Sequence, residues 1–207
     1  MCEVTVVCCW NNEELYGGFV NSLKVQDTPC EIIGIDNRDN KNFTSCAAAY
    51  NSVINQVKTK YVIYSHQDIL FNDRDNLGKF LSYLERVGIH DVLGVAGVTV
   101  ETKGIFTDIT SINPYTGSGE LVQVGEMRVE GGMMECFTVD ECFFGGYSQH
   151  FREQPFDEDI LFMYLTKHYF YHVPKRAFLH FLVRSGFYLK ARRFYRFMTR
   201  KNSIETK

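Results

Sequence analysis

Short apolar runs alternate with segments of helical periodicity along the N-terminal half of the chain. The runs are rich in valine, isoleucine and tyrosine, which is typical of buried strands, whereas the segments between them repeat apolar side chains every three or four residues, as amphipathic helices do. The pattern predicts strands at 3–9, 30–35, 61–65 and 92–98, and helices at 12–25, 44–57 and 76–87, the first capped by Asn11 or Asn12. This order implies an α/β fold with a largely parallel central sheet and right-handed crossovers.

The pattern changes in the C-terminal half. The run Asn-Pro-Tyr-Thr-Gly-Ser-Gly at 113–119 predicts a turn between short alternating segments. A strand is predicted at 135–144, followed by Gly145 and Gly146, then a helix at 159–168 and a short strand at 169–173. We expect one domain at 1–183 and a separate tail at 184–207.

The composition is that of an ordinary soluble domain, with 45% hydrophobic and 23% charged residues among 207. No apolar run approaches the roughly 18 residues typical of a membrane span, and the N-terminus does not have the pattern of a signal peptide. Seven cysteines occur without a C-x-x-C pair, which argues against a zinc ribbon and favours reduced thiols. These features predict a cytoplasmic location.

The net charge of −3 is unevenly distributed. Residues 184–207 contain eight basic residues and one acidic residue, so the tail carries +7 and the remainder −10. The acidic body argues against nucleic acid as a partner. The basic, aromatic tail is either a solvated helix or a peripheral contact with anionic lipid headgroups at the inner membrane face.

Polar clusters directly follow three of the predicted strands. They are Trp10-Asn11-Asn12, Asp36-Asn37-Arg38-Asp39 and His66-Gln67-Asp68. Ligands of parallel sheets bind outside the carboxyl ends of the strands. One such cluster is ordinary turn chemistry, but three at the same edge predict a ligand site.

Two aspartates in these clusters have the chemistry to bind a nucleotide. Asp68 suits a hard divalent cation, Mg2+ or Mn2+, which could bridge a diphosphate and stabilise it as a leaving group. Asp36 could accept a hydrogen bond from a nucleobase or a ribose hydroxyl. The alternatives are that Asp68 caps the helix at 76–87 or its preceding turn, and that Asp36 only forms an Asx-turn.

Five carboxyl groups in the C-terminal half are candidates for a general base that takes the proton from an attacking hydroxyl. They are Asp140, Glu141, Asp157, Glu158 and Asp159. The last three could instead begin a helix, since acidic residues favour the first turn. His180 stands alone in an apolar run, where a histidine is more often a hydrogen-bonded core residue than a metal ligand.

Several motifs together resemble the family-2-like glycosyltransferases, and more closely a bacterial subgroup that shares their glycosyltransferase-A fold. Glu31-Ile32-Ile33-Gly34-Ile35-Asp36-Asn37 resembles the family's nucleotide-binding strand, and Ala47 to Asn51 resembles its "A-x-A-x-N" helix. Lys60 to Ile69 resembles the strand that leads to the metal aspartate, and the subgroup's "H-Q-D-I" occupies 66–69 unchanged. The resemblance is good up to about residue 98 and patchy beyond 135.

This resemblance implies a transferase that moves a sugar from a nucleotide-diphosphate donor to a hydroxyl of a glycan or lipid-linked acceptor, with inversion and with Mn2+ or Mg2+. It places metal binding at Asp68 and His180, acceptor binding at Gly145 and Gly146, and catalysis at Asp159, Glu158 or Asp140. The nucleotide would contact Trp10, Asn11, Asp36, Asn37, Asn51, His66 and Gln67.

The sequence departs from the family pattern after Asp157. The loop that carries the family's catalytic acid appears shortened, because the next residues already look like the helix beyond it. Either Asp159 or Glu158 takes the role of base, or the protein is a non-catalytic sugar-nucleotide-binding relative that partners an active transferase. A nucleotidyltransferase is disfavoured, because no glycine-rich loop follows the first strand.

Overall fold

The computed structural model of the chain describes residues 2–98, 105–107, 110–112, 121–123, 126–127, 133, 136 and 138–158. The N-terminal half contains strands β1 (Val4–Trp10), β2 (Glu31–Asp36) and β3 (Tyr61–Ser65), and helices α1 (Glu13–Lys24), α2 (Cys46–Val53) and α3 (Asn76–Leu84). The remaining strands are β4 (Leu93–Gly94), β5 (Ala96–Val98), β6 (Ile105–Thr107), β7 (Thr110–Ile112), β8 (Leu121–Gln123), β9 (Glu126–Met127), β10 (Thr138–Val139) and β11 (Phe143–Tyr147). Helix α4 (Ser148–Glu153) follows β11 directly.

A five-stranded sheet in the order β2-β1-β3-β11-β4 forms the centre of the fold. β1 pairs in parallel with both β2 and β3, and β11 runs antiparallel between β3 and β4. The remaining described strands form a four-stranded sheet, β10-β5-β6-β9, and the pair β7-β8. The mostly parallel central sheet confirms the predicted α/β class.

Both faces of the central sheet are covered, which explains why its inner strands are apolar throughout. Successive side chains of a strand point to opposite faces, so Val6 and Cys8 join a core beneath α1 and α3, while Val7 and Cys9 pack on the opposite side with α2. Cys8 and Cys9 therefore point to opposite faces of the sheet. Each large apolar side chain buried completely in these cores contributes about 1.5–3 kcal/mol.

Side-chain caps define the starts of two helices. Asn12 begins α1, because its Oδ1 accepts hydrogen bonds from the backbone N–H groups of Glu14 and Leu15 at 3.0 and 3.1 Å. Ser45 begins α2 by accepting from the N–H of Ala48 at 3.2 Å. Such caps stabilise a helix by about 1 kcal/mol. The three predicted helices are confirmed, although α2 is shorter than expected and ends in a 3-10 turn at Ile54–Gln56.

Two predicted strands are wrong in their continuity. Segment 92–98 divides at Val95 into β4 and β5, and segment 135–144 divides at the turn before Phe143. Both divisions have one cause: β4 pairs with β11 in the central sheet, whereas β5 pairs with β10 in the four-stranded sheet. The two segments cross from one sheet to the other together, and alternation along a single strand does not reveal a change of partner.

Helix α4 was not predicted. The predicted turn at 113–119, the elements beyond 158 and the basic tail lie outside the described residues, so these predictions stay open. Among the helices of the described part, none has the length and apolar character that crossing a membrane would require.

Candidate nucleotide site at the carboxyl edge of the sheet

The carboxyl ends of three adjacent parallel strands form one edge of the central sheet. Trp10 ends β1 opposite Asp36 at the end of β2, and the backbone N–H of Asn37 donates to the Trp10 carbonyl at 2.7 Å. β3 pairs on the other side of β1 and ends at Ser65. The order of the strands therefore reverses between β1 and β3, and ligands of open α/β sheets bind outside such a switch point.

An aromatic pair, Trp10 and Tyr16, lies at this edge. Their ring centroids are 4.9 Å apart and their planes differ by 5°, the stacked arrangement that aromatic rings favour when offset. Helix α1 positions Tyr16, whose backbone N–H donates to the carbonyl of the cap residue Asn12 at 3.1 Å. Gly34 on β2 is required for this stack, because a Cβ there would collide with the Tyr16 hydroxyl.

Asp36 is held by Arg38 from two directions. The Arg38 Nη2 donates to Oδ2 at 2.6 Å and its Nε to both carboxylate oxygens, while the Arg38 backbone N–H donates to Oδ1 at 3.0 Å. The last contact is the Asx-turn that the sequence left as an alternative. These hydrogen bonds hold the pKa of Asp36 below its ordinary value. The Arg38 guanidinium also lies 5.1 Å from the centre of the Trp10 ring, so a charged pair adjoins the aromatic one.

Gln67 connects the turn after β1 to the turn after β3. Its Oε1 accepts from the backbone N–H groups of Asn11 and Asn12, both at 2.9 Å. Its Nε2 donates to the Asn11 Oδ1 at 2.7 Å. The side chain thus spans the switch point itself, next to Asp68 in sequence.

Asp68 is exposed and makes no hydrogen bond or ion pair to any residue in the part of the chain that the structure describes. The alternative that it caps α3 is wrong, because Asp75 occupies the N-cap position. Within the described residues, no three His, Cys, Asp or Glu side chains are arranged to hold a metal ion. One open carboxylate fits the way that Mg2+ is bound by one or two carboxylates plus substrate phosphates, and does not fit a metal cage formed by protein alone.

Two amides predicted to contact the nucleotide are used within the protein. Asn37 is buried, its Oδ1 accepts from the N–H groups of Asn42 and Phe43, and its Nδ2 donates to the Phe43 carbonyl at 3.1 Å. Asn51 exchanges two hydrogen bonds with the backbone of Phe156, at 2.9 and 3.0 Å. These contacts hold loops in place, and they give no support to a direct nucleotide contact by either amide.

Asn51 also donates to one of the candidate bases. Its Nδ2 lies 2.9 Å from Oε1 of Glu158, which is exposed. Helix α2 thereby fixes the Phe-Asp-Glu segment at 156–158 relative to the sheet. Asp159 and His180 lie outside the described residues, so their predicted roles stay predictions.

The turn between β10 and β11 brings further carboxyl groups to the same edge. Asp140 is exposed, and its Oδ1 accepts from the backbone N–H of Cys142 at 2.9 Å. The Cys142 carbonyl in turn accepts from the backbone N–H of His66 at 2.8 Å. Glu141 is half-buried, and this burial raises its pKa above the ordinary 4.5, with Asp140 adding to the rise and His66 opposing it.

Gly145 and Gly146 are buried inside the central sheet on β11, opposite Ile63 and Val62 of β3. A Cβ at Gly145 would collide with the Val62 carbonyl, and one at Gly146 would lie 2.9 Å from the Asp91 carbonyl. Close packing therefore accounts for both glycines. Their position lends no support to the predicted acceptor contact.

A pair of thiols lies close to the end of β1. The Cys9 thiol neighbours Cys46, the first residue of α2, and the interaction between the two thiols lowers the pKa of Cys46 while it raises that of Cys9. Burial raises the pKa of the neighbouring Cys8 to about 12. All seven cysteines are free, as the sequence predicted.

Sequence reasoning missed Tyr16 as a member of the site, and it included Arg38 in a polar cluster without assigning it a role. Tyr16 lies on the predicted α1, where its ring counts as one more position of helical periodicity. Arg38 lies two residues after Asp36. At this spacing its backbone N–H can form an Asx-turn with the aspartate, and its side chain can reach the same carboxylate. This spacing was the available signal for Arg38.

Comparison with known proteins identifies the family. The sequence profile of the Glycosyltransferase like family matches residues 5–176 of the chain. The chain belongs to this family. The resemblance seen in the strand, helix and "H-Q-D-I" motifs is therefore confirmed at the level of the family. No curated protein matches the chain.

The solved structure of a mannosyltransferase shares the fold. The mannosyltransferase PcManGT from Pyrobaculum calidifontis, in complex with GDP-Man and Mn2+, is similar with a TM-score of 0.50 and 14% identity over 76% of this chain and 48% of that one. S. aureus TarS 1-349 in complex with UDP gives a TM-score of 0.47 and 15% identity over 78% and 52% of the two chains. This family member thus spans about half the length of these proteins. The predicted glycosyltransferase-A fold is confirmed.

Proposed function

We propose that this member of the Glycosyltransferase like family transfers a sugar from a nucleotide-diphosphate donor to a hydroxyl of a glycan or lipid-linked acceptor. The observation that carries the proposal is the open carboxylate of Asp68 at the switch point, on the same edge as Trp10 and Asp36. A nucleotide-diphosphate donor needs a carboxylate for the cation at its diphosphate, and beside it aromatic and acidic groups for its nucleoside. PcManGT, the similar mannosyltransferase, was solved with GDP-Man and Mn2+.

Asp68 would hold Mn2+ or Mg2+ together with the donor diphosphate. The cation would supply Lewis-acid stabilisation of the charge that develops on the leaving group. Asp36 and the Trp10–Tyr16 pair would hold the nucleoside. Because Arg38 already bonds to the Asp36 carboxylate, the nucleoside has to share this carboxylate with the guanidinium or displace it.

The transfer itself needs one carboxylate as a base. The acceptor oxygen forms a bond to the anomeric carbon, the bond from that carbon to the diphosphate oxygen breaks, and the hydroxyl proton passes to the base. A single displacement of this kind inverts the anomeric carbon. The candidates for this base are Glu158, Asp140 and Asp159, and Asn51 holds the first of them in place. Replacing each carboxylate by its amide should identify which one accepts the proton.

The first test of the proposal is isothermal titration of UDP and GDP, with and without Mn2+. We expect wild-type binding to strengthen with Mn2+, and Asp68→Ala to lose this metal dependence, because one carboxylate and the diphosphate together form the cation site. Asp73→Ala is the matched control, since Asp73 is an exposed aspartate in the same loop. It should bind like wild type.

Two outcomes would contradict parts of the proposal. If neither nucleotide binds to the wild type with or without Mn2+, the edge of the sheet is not a donor site. Metal-dependent binding without any hydrolysis or transfer from a panel of nucleotide sugars would instead favour the non-catalytic alternative.

A further inference from the structure

Gln67 connects two loops that the proposed function assigns to different parts of the donor. The Trp10–Asn12 turn lies on the nucleoside side, and Asp68 lies on the diphosphate side. Three hydrogen bonds from the Gln67 amide, at 2.7–2.9 Å, join the turn to the residue that precedes Asp68. No other described hydrogen bond joins these two loops.

The Gln67 amide is nearly saturated by these contacts. A glutamine side chain offers two acceptor sites and two donor hydrogens. Two backbone N–H groups occupy both acceptor sites, and the Asn11 Oδ1 takes one hydrogen. One hydrogen remains for a ligand, so direct recognition of the nucleotide is not the main task of this side chain.

Gln67 accepts hydrogen bonds from the backbone N–H groups of Asn11 and Asn12, whose positions affect the rest of the site. Asn12 caps α1 through its side chain, and α1 places Tyr16 against Trp10. Movement of this turn would therefore move the aromatic pair. A groove for one ligand works best when both of its sides are fixed before binding, because ordering them afterwards costs free energy.

We propose that Gln67 is a positioning residue that fixes the Asp68 carboxylate relative to the Trp10–Asn12 turn, so that nucleoside diphosphate and divalent cation bind cooperatively. This inference rests on the proposed function. It differs from the sequence-based prediction that Gln67 contacts the nucleotide. It concerns the coupling between the binding of two ligands, and neither a direct contact with the nucleotide nor a contribution to overall stability would produce such coupling.

The test measures the ratio of the Kd of UDP or GDP without Mn2+ to its Kd with Mn2+. In Gln67→Met, which retains length but loses all three hydrogen bonds, we expect this ratio to fall about five- to tenfold, a common size for coupling between sites. The Kd without Mn2+ should change by less than about twofold. Amide hydrogen exchange followed by NMR should show faster exchange at Asn11 and Asn12 in the same variant.

Two further variants of the full chain separate positioning from other roles. Gln67→Glu retains the acceptor oxygen and replaces the NH2 donor by a second oxygen, to which the rotated Asn11 amide can donate. This variant should show slow exchange and a ratio at least equal to that of wild type. Gln56→Met removes an exposed glutamine elsewhere and should change neither measurement.

Each remaining outcome overturns the inference in a distinguishable way. An unchanged ratio in Gln67→Met would show that the bridge does not couple the ligands, and a rise in both Kd values by the same factor would indicate direct contact with the nucleotide. A lower melting temperature with an unchanged ratio would reduce Gln67 to a structural role. If the wild type itself shows no metal-dependent binding, the proposed function fails and this inference fails with it.

Discussion

The two edges of the central sheet use their polar residues in different ways. At the amino edge, Thr5, Thr59 and Ser148 are buried and bond to one another or to backbone: the two threonine hydroxyls are 2.7 Å apart, and the Ser148 Oγ donates to the Thr59 carbonyl at 2.7 Å. At the carboxyl edge, Asp36 and Asp68 are at least partly exposed, and Asp68 has no hydrogen bond within the described residues.

This contrast separates stability from binding. A buried polar group must be hydrogen-bonded within the protein, since leaving it unpaired costs about 1–3 kcal/mol. An exposed carboxylate without a hydrogen bond in the described part of the chain adds little to stability, and under the proposed function Asp68 holds the cation. The buried polar groups of the amino edge therefore stabilise the sheet, whereas the carboxyl edge is where we propose that the donor binds.

Crossed variants provide the strongest test of this separation. Ser148→Ala should lower the free energy of unfolding by about 1–3 kcal/mol, because the buried Thr59 carbonyl loses its side-chain donor. It should leave the binding of nucleoside diphosphate unchanged. Asp68→Ala should do the reverse, losing metal-dependent binding with a change in stability below about 0.5 kcal/mol. Urea denaturation and calorimetry on both variants measure the four quantities.

Gln149→Ala is the matched control for Ser148, since Gln149 is the next residue and its exposed side chain donates to Glu153 on the surface of α4. It should alter stability by less than about 0.5 kcal/mol. The separation of stability at the amino edge from binding at the carboxyl edge would be contradicted if Ser148→Ala weakened nucleotide binding as much as Asp68→Ala does.

The half-buried Glu141 gives the carboxyl edge a pH dependence of its own. Burial raises its pKa above 4.5, so the folded state binds its proton more tightly than the unfolded state does. The stabilisation by the protonated group is complete below pH 4.5 and is lost as pH rises through the raised pKa. Glu141→Gln should therefore become more stable relative to wild type over this rise, by less than about 1 kcal/mol because the group is partly solvated.

Denaturation curves between pH 4 and 7, about the range in which a raised glutamate pKa acts, measure this difference. Glu85→Gln, at an exposed glutamate after α3, is the control. A constant difference between Glu141→Gln and wild type over the whole range would show that Glu141 titrates alike in the folded and unfolded states.

The smallest expected effect concerns thiol reactivity near the end of β1. Because the neighbouring Cys9 thiol lowers the pKa of the exposed Cys46, Cys46 should react with iodoacetamide near neutral pH faster than Cys8, Cys30 and Cys142, whose pKa values burial raises. Cys9→Ala should slow this reaction about two- to threefold, because the Cys46 thiolate loses the neighbour that lowers its pKa. Mass spectrometry of timed digests gives the rates, and Cys30→Ala should leave them unchanged. Equal labelling of Cys46 in wild type and Cys9→Ala would contradict the effect of Cys9 on the pKa of Cys46.

Much of the fold was accessible from periodicity. The strand at Tyr61–Ser65 was predicted to the residue, and β1 and β2 are each shifted by a single residue. Asn12 was one of two expected caps for α1 and is the one that bonds. Such features depend on neighbours in sequence, so a sequence pattern contains them.

The site was accessible only in part. The three polar clusters were expected at one edge, and the pairing of β1 with β2 and β3 places them there. However, the sequence could not show which amides were occupied. Asn51 bonds to Phe156 across 105 positions of chain, and Gln67 bonds to Asn11 across 56. No local pattern indicates a partner so distant.

The sequence by itself determined, to within one residue, where β1, β2 and β3 end. It also determined which polar residues follow each of these ends, because both patterns are local properties. The tertiary structure decided which strands are neighbours. It therefore also decided that β4 and β5 separate at Val95 and join different sheets. It also decided that Asn37, Asn51 and Gln67 hold loops while Asp68 stays open. Hydrogen-bond capacity is finite, and only the folded chain determines whether a given amide uses it on the protein or leaves it for a ligand.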